Sequence, residues 1–496
     1  MKSSQYTLKC LCSFICILFL LSSCKKGGGN SPDPTPQPPP PLPPTAGFDI
    51  NSITDTYESI APFSNYPKWS VYNVHDPSII KVGDWFYCYN TDVAYGAAPR
   101  IGIMVRKSKD LVEWQYVGWV FDNLPSQSVQ YITSQGATPV QGLWAPYIMK
   151  AGSEFRLYYS LAATSGRISC IGLATATSPE GPWTEKGLVV SSINAGPGTN
   201  AIDPTVVVTP SGQHWMVYGS SWDGLFELQL NPSTGLALNS GDKGVRKVRR
   251  GITNGIINGN LEGAEIIYNV QNSMYYLFVA YDWLSTKYNV RVFRSSNPDG
   301  PFLDFNGVNV DNQADNGPMI IAPYKFNSHG GWQGVSHCSV FQDNGQFYIA
   351  HQGRPTINPL FMVLHVRKLF WTADDWPVAS PERYAWEDNA NVPKDSITGQ
   401  WERISLGYRV VPGFDREQTN PDLQISENIS IDAAGTVNGS SASTWTYTAP
   451  WLRINWSGGS IDKVFVQKGR DWENKKSSYI FTGLNEAGTA IWGKKK

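Results

Sequence analysis

A short pattern that returns five times limits what this chain can fold into more than any single residue does. Val74-His75-Asp76-Pro77-Ser78-Ile79-Ile80 places a carboxylate at the mouth of an apolar run that reads as a strand. Trp144-Ala145-Pro146-Tyr147-Ile148, Ile202-Asp203-Pro204-Thr205-Val206, Leu261-Glu262-Gly263-Ala264-Glu265 and Ser336-His337-Cys338-Ser339-Val340 open four more such runs. After each, a polar loop leads to an aromatic strand, from Trp85-Phe86-Tyr87 in the first unit to Phe347-Tyr348-Ile349 in the fifth. Anchored at Asp76, Ala145, Asp203, Gly263 and Cys338, the openings are spaced by roughly sixty to seventy-five residues. No helical period is sustained between Phe48 and about Ala385. The pattern predicts an all-β five-bladed propeller; a sandwich would leave five like openings unexplained. Innermost strands of a propeller converge on its axis. Asp76, Asp203 and Glu262 are therefore expected to face one central pocket.

The ends of the chain read differently. Leu11 to Leu21 is a short apolar run behind Lys2 and Lys9, too short to span a bilayer in the mature protein, and it ends in Leu21-Ser22-Ser23-Cys24. Residues 1–23 are expected to be a lipoprotein signal, with the lipid on Cys24 as the sole membrane attachment. That places the protein in a bacterial cell envelope, at the outer membrane or cell surface. Residues 24–47, glycine-rich then proline-rich, form a tether that cannot pack a core. The propeller is expected over 48–388 and a second all-β domain, barrel- or sandwich-like, over 389–496. That domain shows no acidic cluster of its own, and Lys494 to Lys496 reads as a solvated basic tail. Cys88, Cys170 and Cys338 make neither a disulfide framework nor a zinc pattern and are expected to be small buried residues.

With 40 basic against 41 acidic residues, nothing favours a nucleic-acid partner. Two carboxylates flanking a glycosidic bond suffice to hydrolyse it, one giving a proton to the leaving oxygen while the other activates water or attacks. A third can keep the donor protonated by like-charge repulsion. Asp76, Asp203 and Glu262 supply that set, although Asp-Pro also starts ordinary turns. Glu265 competes with Glu262. An offset of three places the two on opposite faces of a strand, and Glu262, beside Gly263 at the opening, is preferred. Glu265 is expected to pair against a neighbouring blade. Trp144 stands where other openings carry an acid, and either stacks on a sugar ring or packs in the core.

His75-Asp76-Pro77, Trp144-Ala145-Pro146, Ala201-Ile202-Asp203-Pro204 and Glu262-Gly263-Ala264, taken in order, resemble the signatures of glycoside hydrolase family 43. Tyr281-Asp282-Trp283-Leu284, Lys287-Tyr288-Asn289-Val290 and Gly488-Thr489-Ala490-Ile491-Trp492-Gly493 resemble its two-domain endo-α-1,5-L-arabinanases. The likeness runs from about residue 70 to the C-terminus. Ala264 departs from it, standing where many members have proline. The resemblance implies a five-bladed propeller that hydrolyses arabinan with inversion. Asp76 is then the general base, Glu262 the general acid and Asp203 the acid that tunes it. Asn200, Ala201, Ile202, Ser220 and Ser221 become sugar contacts, and His337 supports a calcium ion, largely through waters. Read from its residue type alone, His337 is a satisfied core histidine, since calcium prefers oxygen ligands. The expected partner is arabinan or an arabino-oligosaccharide, and a monomer is expected. The alternatives are an exo-acting arabinofuranosidase or xylosidase of the same family, and a non-catalytic glycan-binding lipoprotein.

Overall fold

The computed structural model describes residues 47–95, 99–253, 255–312, 317–407 and 418–496. The signal segment, Cys24 and all but the last residue of the tether lie outside the described residues. Those described are almost wholly strand and loop, with one α-helix at Ser126–Ser134. No described helix is long and apolar enough to cross a membrane.

Four of the five repeats form separate four-stranded antiparallel sheets, each with its strands in sequence order. Their innermost strands are Val74–Val82, Trp144–Ala151, Thr205–Val208 and Leu261–Asn269. The fifth repeat departs from the expectation of five like blades. Its strands Cys338–Asp343, Gln346–Pro355, Val363–Trp371 and Pro377–Ala379 pair antiparallel in order, but inside a seven-stranded sheet. The cause is length. Gln346–Pro355 runs 10 residues, so its far end also pairs with Trp332–Gln333, which brings in Tyr324–Lys325 and Gln424–Ile425. The architecture is thus a propeller with four separate blades and a fifth repeat merged into a larger sheet.

A circuit of hydrogen bonds ties the innermost strands together, always through the residue two places past the opening. Ser78 Oγ accepts from the Ile148 N–H at 3.1 Å, and the Tyr147 hydroxyl donates to the Val206 carbonyl at 2.6 Å. Thr205 Oγ1 accepts from the Ile266 N–H at 3.2 Å, and Glu265 Oε1 from the Val340 N–H at 2.9 Å. Ser339 Oγ then accepts from the Ile79 N–H at 3.1 Å, which returns to the first strand. This register moves the fifth anchor by one residue. His337, not Cys338, stands two places before Ser339 as Asp76 stands before Ser78. Cys88, Cys170 and Cys338 are buried free thiols.

The same openings share a backbone device. Pairing slips by one residue between His75 and Ser78, between Trp144 and Tyr147, and between Glu262 and Glu265. Asp76, Ala145, Asp203 and Gly263 have φ of +48°, +40°, +58° and +58°. A left-handed non-glycine residue costs roughly 1–2 kcal/mol. Such bulges re-aim a side chain where a strand meets a functional site. The slip also undoes the expected parity of Glu262 and Glu265: their partners, Ala280 and Phe278, are only two residues apart. What separates the two acids is depth along the strand, not strand face.

Beyond Pro393 the chain closes an eight-stranded barrel from Gly399–Ser405 to Ala490–Lys495, filled by Trp401, Ile429, Leu452, Val464 and Phe481. It docks on the fifth repeat, where the Thr482 hydroxyl donates to the Ala379 carbonyl at 2.7 Å. The basic tail is solvated only at its end: Lys496 is exposed, Lys495 half-buried and Lys494 buried. Lys494 lies in the closing strand, fully buried, at 2.9 Å from Glu382 and 3.0 Å from Asp471, with Glu473 also paired to it. An acidic cluster therefore does exist in the second domain, built around this ammonium. Sequence spacing hides it because Glu382 comes from the propeller side.

Candidate active site

The acids of the first, third and fourth units meet near the axis, Asp76 and Glu262 at the bulges of their strands and Asp203 two residues ahead of its strand at a left-handed φ of +58°. Asp76 is 8% exposed. Its Oδ2 accepts from the Thr91 hydroxyl at 2.7 Å, and its Oδ1 lies 2.8 Å from His75 Nδ1 and 3.4 Å from His337 Nδ1. Its own N–H donates to Gln352 Oε1 at 3.1 Å. Burial alone would raise the Asp76 pKa. The charge and hydrogen bond of His75, then His337 and Thr91, outweigh it and hold the carboxyl well below its ordinary value. Asp76 is therefore an ionised carboxylate near neutrality.

Asp203 is the opposite case. It is 6% exposed, and its own N–H donates to Ser160 Oγ at 3.1 Å. Burial first, then the charges of Glu262 and Asp76, push it well above the usual carboxylate range. The Gly263 N–H, donating to Asp203 Oδ2 at 3.2 Å, opposes that only in part. Glu262 is half-buried and held at both oxygens, accepting from the Ser220 hydroxyl at 2.7 Å and the Tyr288 hydroxyl at 2.9 Å. Asp203 thus retains a proton that a free carboxyl would lose, held there by burial and by the charge of the neighbouring Glu262. One ionised carboxylate and one proton-retaining acid share a single cluster.

The remaining predicted residues fall around this centre in different ways. Trp144 is half-buried at the opening of the second unit, and the Ala145 N–H donates to Thr91 Oγ1 at 2.7 Å, so one hydroxyl ties that opening to Asp76. Asn200 Oδ1 accepts from Ser169 Oγ at 2.6 Å, and Ile202 is nearly buried. Ala201 is wholly buried, with its N–H on Ser192 Oγ at 3.1 Å. Ser220 holds Glu262, while the Ser221 N–H donates to the Leu261 carbonyl at 2.6 Å. Gly263 leaves room beside His337: a Cβ there would stand 2.9 Å from the imidazole Cγ and Nδ1. Glu265 is withdrawn from the centre, accepting from the Thr205 hydroxyl at 2.8 Å as well as from Val340, and burial lifts its pKa to about 7. It joins neighbouring units, as expected of it.

Thr91 and Gln352 are members of the site that sequence reasoning missed. Both lie on second strands, at Trp85–Asp92 and Gln346–Pro355, which carry no opening motif. A polar residue at the far end of each otherwise aromatic strand was the available signal.

Comparison with known proteins agrees with this geometry. Residues 70–377 match the model of glycosyl hydrolases family 43, and residues 381–493 match a C-terminal lipocalin-like domain. An extracellular endo-alpha-(1->5)-L-arabinanase of Bacillus subtilis is 28% identical over 87% of this chain and 95% of its own length. An extracellular exo-alpha-(1->5)-L-arabinofuranosidase of Cellvibrio japonicus is 29% identical over 62% of this chain and 86% of its own. The crystal structure of the endo-1,5-alpha-L-arabinanase of Thermotoga petrophila superposes with a TM-score of 0.74 at 27% identity, covering 86% of this chain and 99% of that one. With a family model spanning the four blades and most of the fifth repeat, and the acids of that stretch gathered at one centre, this chain belongs to glycosyl hydrolases family 43.

Proposed function

We propose that the protein is an endo-acting α-1,5-L-arabinanase that cleaves with inversion. One observation carries the reading: an ionised Asp76 stands in the same cluster as the proton-retaining Asp203 and its neighbour Glu262. In this mechanism Asp76 takes a proton from water as the water attacks the anomeric carbon. Glu262, oriented by Ser220 and Tyr288, gives its proton to the leaving oxygen, and Asp203 keeps that proton available. Endo action is favoured over exo because the full-length relatives, which cover both domains, are named endo-enzymes. The exo relative covers 62% of this chain. In the same reading the antiparallel strands from Cys338 to Ala379 serve as the fifth blade, since Ser339 and Val340 close the inner circuit. Anchoring through Cys24 and a cell-surface location belong to this proposal too, supported by the lipobox-like stretch and by relatives named extracellular. Product analysis on debranched arabinan tests it: oligosaccharides of mixed length should appear early. Release of one product size alone from the first minutes would assign exo action.

Asp203→Asn gives a separable result. Asn cannot become an anion beside Glu262, so the donor's proton is easier to lose and the alkaline limb of the kcat/KM profile should move to lower pH. The rate at the optimum should fall roughly 10²-fold. An unmoved alkaline limb would remove Asp203 from the tuning role.

The implied calcium ion would have His337 as its one protein contact. His337 is buried, and burial lowers its pKa despite the charges of Asp76 and Glu262, so it offers a neutral imidazole. Among the described residues the one group of three candidate ligands is Glu382, Asp471 and Glu473, which Lys494 already fills. His337 therefore fits an ion held by one imidazole and otherwise by water, and not a protein-built oxygen cage. Such an ion would supply positive charge beside Asp76. Chelation, or His337→Ala, should lower kcat about tenfold or more while thermal unfolding stays within a few degrees. Full activity of the metal-free protein would make His337 a packing residue.

A further inference from the structure

We propose that a cleft between the second and third blades is a further sugar subsite, binding an uncharged pentose unit away from the cleaved bond. This rests on the arabinan reading above and adds to it a site outside the acid cluster. The cleft has a volume of about 420 Å³ and is lined by Arg167, Pro197, Phe226, Val245 and the Arg246–Asp223 pair, among others. That size lies within the roughly 300–1,000 Å³ of small-ligand sites.

Its position follows from strand register. In the second blade Trp144 pairs with Ser160, Ala162 with Ser169, and Ser169 with Ser192. In the third, Thr205 pairs with Val217, Tyr218 with Phe226, and Phe226 with Arg246. The cleft residues Ser192, Tyr218, Phe226 and Arg246 therefore lie at the same end of their sheets as Trp144 and Asp203. The link to the acid is short. Thr199, which lines the cleft, accepts from the Ser220 N–H at 3.1 Å, and the Ser220 hydroxyl is the one that holds Glu262.

At the lip stands Trp222, 60% exposed, with the Arg167 guanidinium 5.6 Å from its ring. Ser221 and Trp222 are consecutive non-glycine residues in the left-handed region, at φ +50° and +47°. Strain of this kind persists where the surroundings enforce it, and here it presents a large apolar ring to solvent. Such a ring offers a face to the C–H side of a sugar.

Charge selects the class of sugar. Arg246 is matched by Asp223 at 2.8 Å and Asp311 at 2.7 Å. Arg167 is spent on the backbone, donating to the carbonyls of Ile193, Ala195, Gly196 and Gly198, which fixes that loop. Lys243 donates to the carbonyl and hydroxyl of Ser191. With these cations engaged, a neutral polyol fits better than a uronic acid.

The test is calorimetric titration of the full chain carrying Asp76→Ala, so that ligand is not consumed, with linear arabinohexaose and arabinobiose. Adding Trp222→Ala should weaken arabinohexaose binding about five- to tenfold and change arabinobiose binding less than twofold. Val245→Trp, at an exposed lining position, should do the same by filling the cleft. A loss seen with a branched arabino-oligosaccharide but not a linear one would still support the pentose site and assign it to a side chain. Unchanged affinity of both variants for arabinohexaose and for the branched ligand alike overturns the subsite alone. If the Asp76→Ala parent binds no arabino-oligosaccharide, the arabinan reading falls, and the subsite with it.

Discussion

Asp76→Ala should abolish hydrolysis of every substrate, by roughly 10²–10⁴-fold or more, however good the leaving group. The reason is positional. Asp76 is the acid whose surroundings, His75, His337 and Thr91, keep it ionised, so it is the one able to take a proton from water. Removing it leaves the nucleophile unactivated, and easing departure of the other half of the bond does not repair that. Glu262→Ala removes the opposite function. On arabinan it should cost a comparable 10²–10⁴-fold, but on an aryl arabinoside with an activated phenol the loss should shrink to about tenfold or less, since that leaving group needs no proton. Asp76→Asn is the companion variant, because Asn tolerates the left-handed φ of +48° at that position better than Ala does. Equal losses for Asp76 and Glu262 variants on the activated substrate would refute the division of roles.

Much of this site was legible in the chain because its geometry is repetitive. Each opening couples an apolar strand to a residue at its mouth, so one recurring pattern points at one axis. What the pattern could not supply was register to a single residue. Cys338 looks like the fifth anchor until the bond from the Ile79 N–H to Ser339 shows that His337 holds that place. The parity argument that separated Glu262 from Glu265 fails for a related reason. A bulge inserts one residue between them, and strand alternation assumes none. Glu265 is set apart instead by Thr205 and Val340, partners from two other units that no local pattern reveals. Lys494 was misread on similar grounds. Three lysines at a chain end look solvated, yet the closing strand of the barrel carries the first of them against Glu382, more than a hundred residues earlier in the chain.

The stereochemistry of the first bond broken bears most directly on the central claim, that Asp76 activates a water and does not itself attack the sugar. An intervening water requires the base and donor carboxyls to stand roughly 6.5–9.5 Å apart, where direct attack needs about 5–5.5 Å. Asp76 and Glu262 come from the first and fourth inner strands, which are not joined to each other in the hydrogen-bond circuit. Asp203 comes from the third, whose Thr205 is bonded to the fourth through Ile266 and Glu265. In that order Asp203 adjoins Glu262 and Asp76 stands two steps around the circuit from each, which fits a tuning acid beside the donor and a base across from both. Proton NMR during the first minutes of hydrolysis, before mutarotation, should show the newly released reducing end in the β configuration from an α-linked arabinan. A first product in the α configuration would mean retention, and would contradict the assignment of Asp76 as a base acting through water.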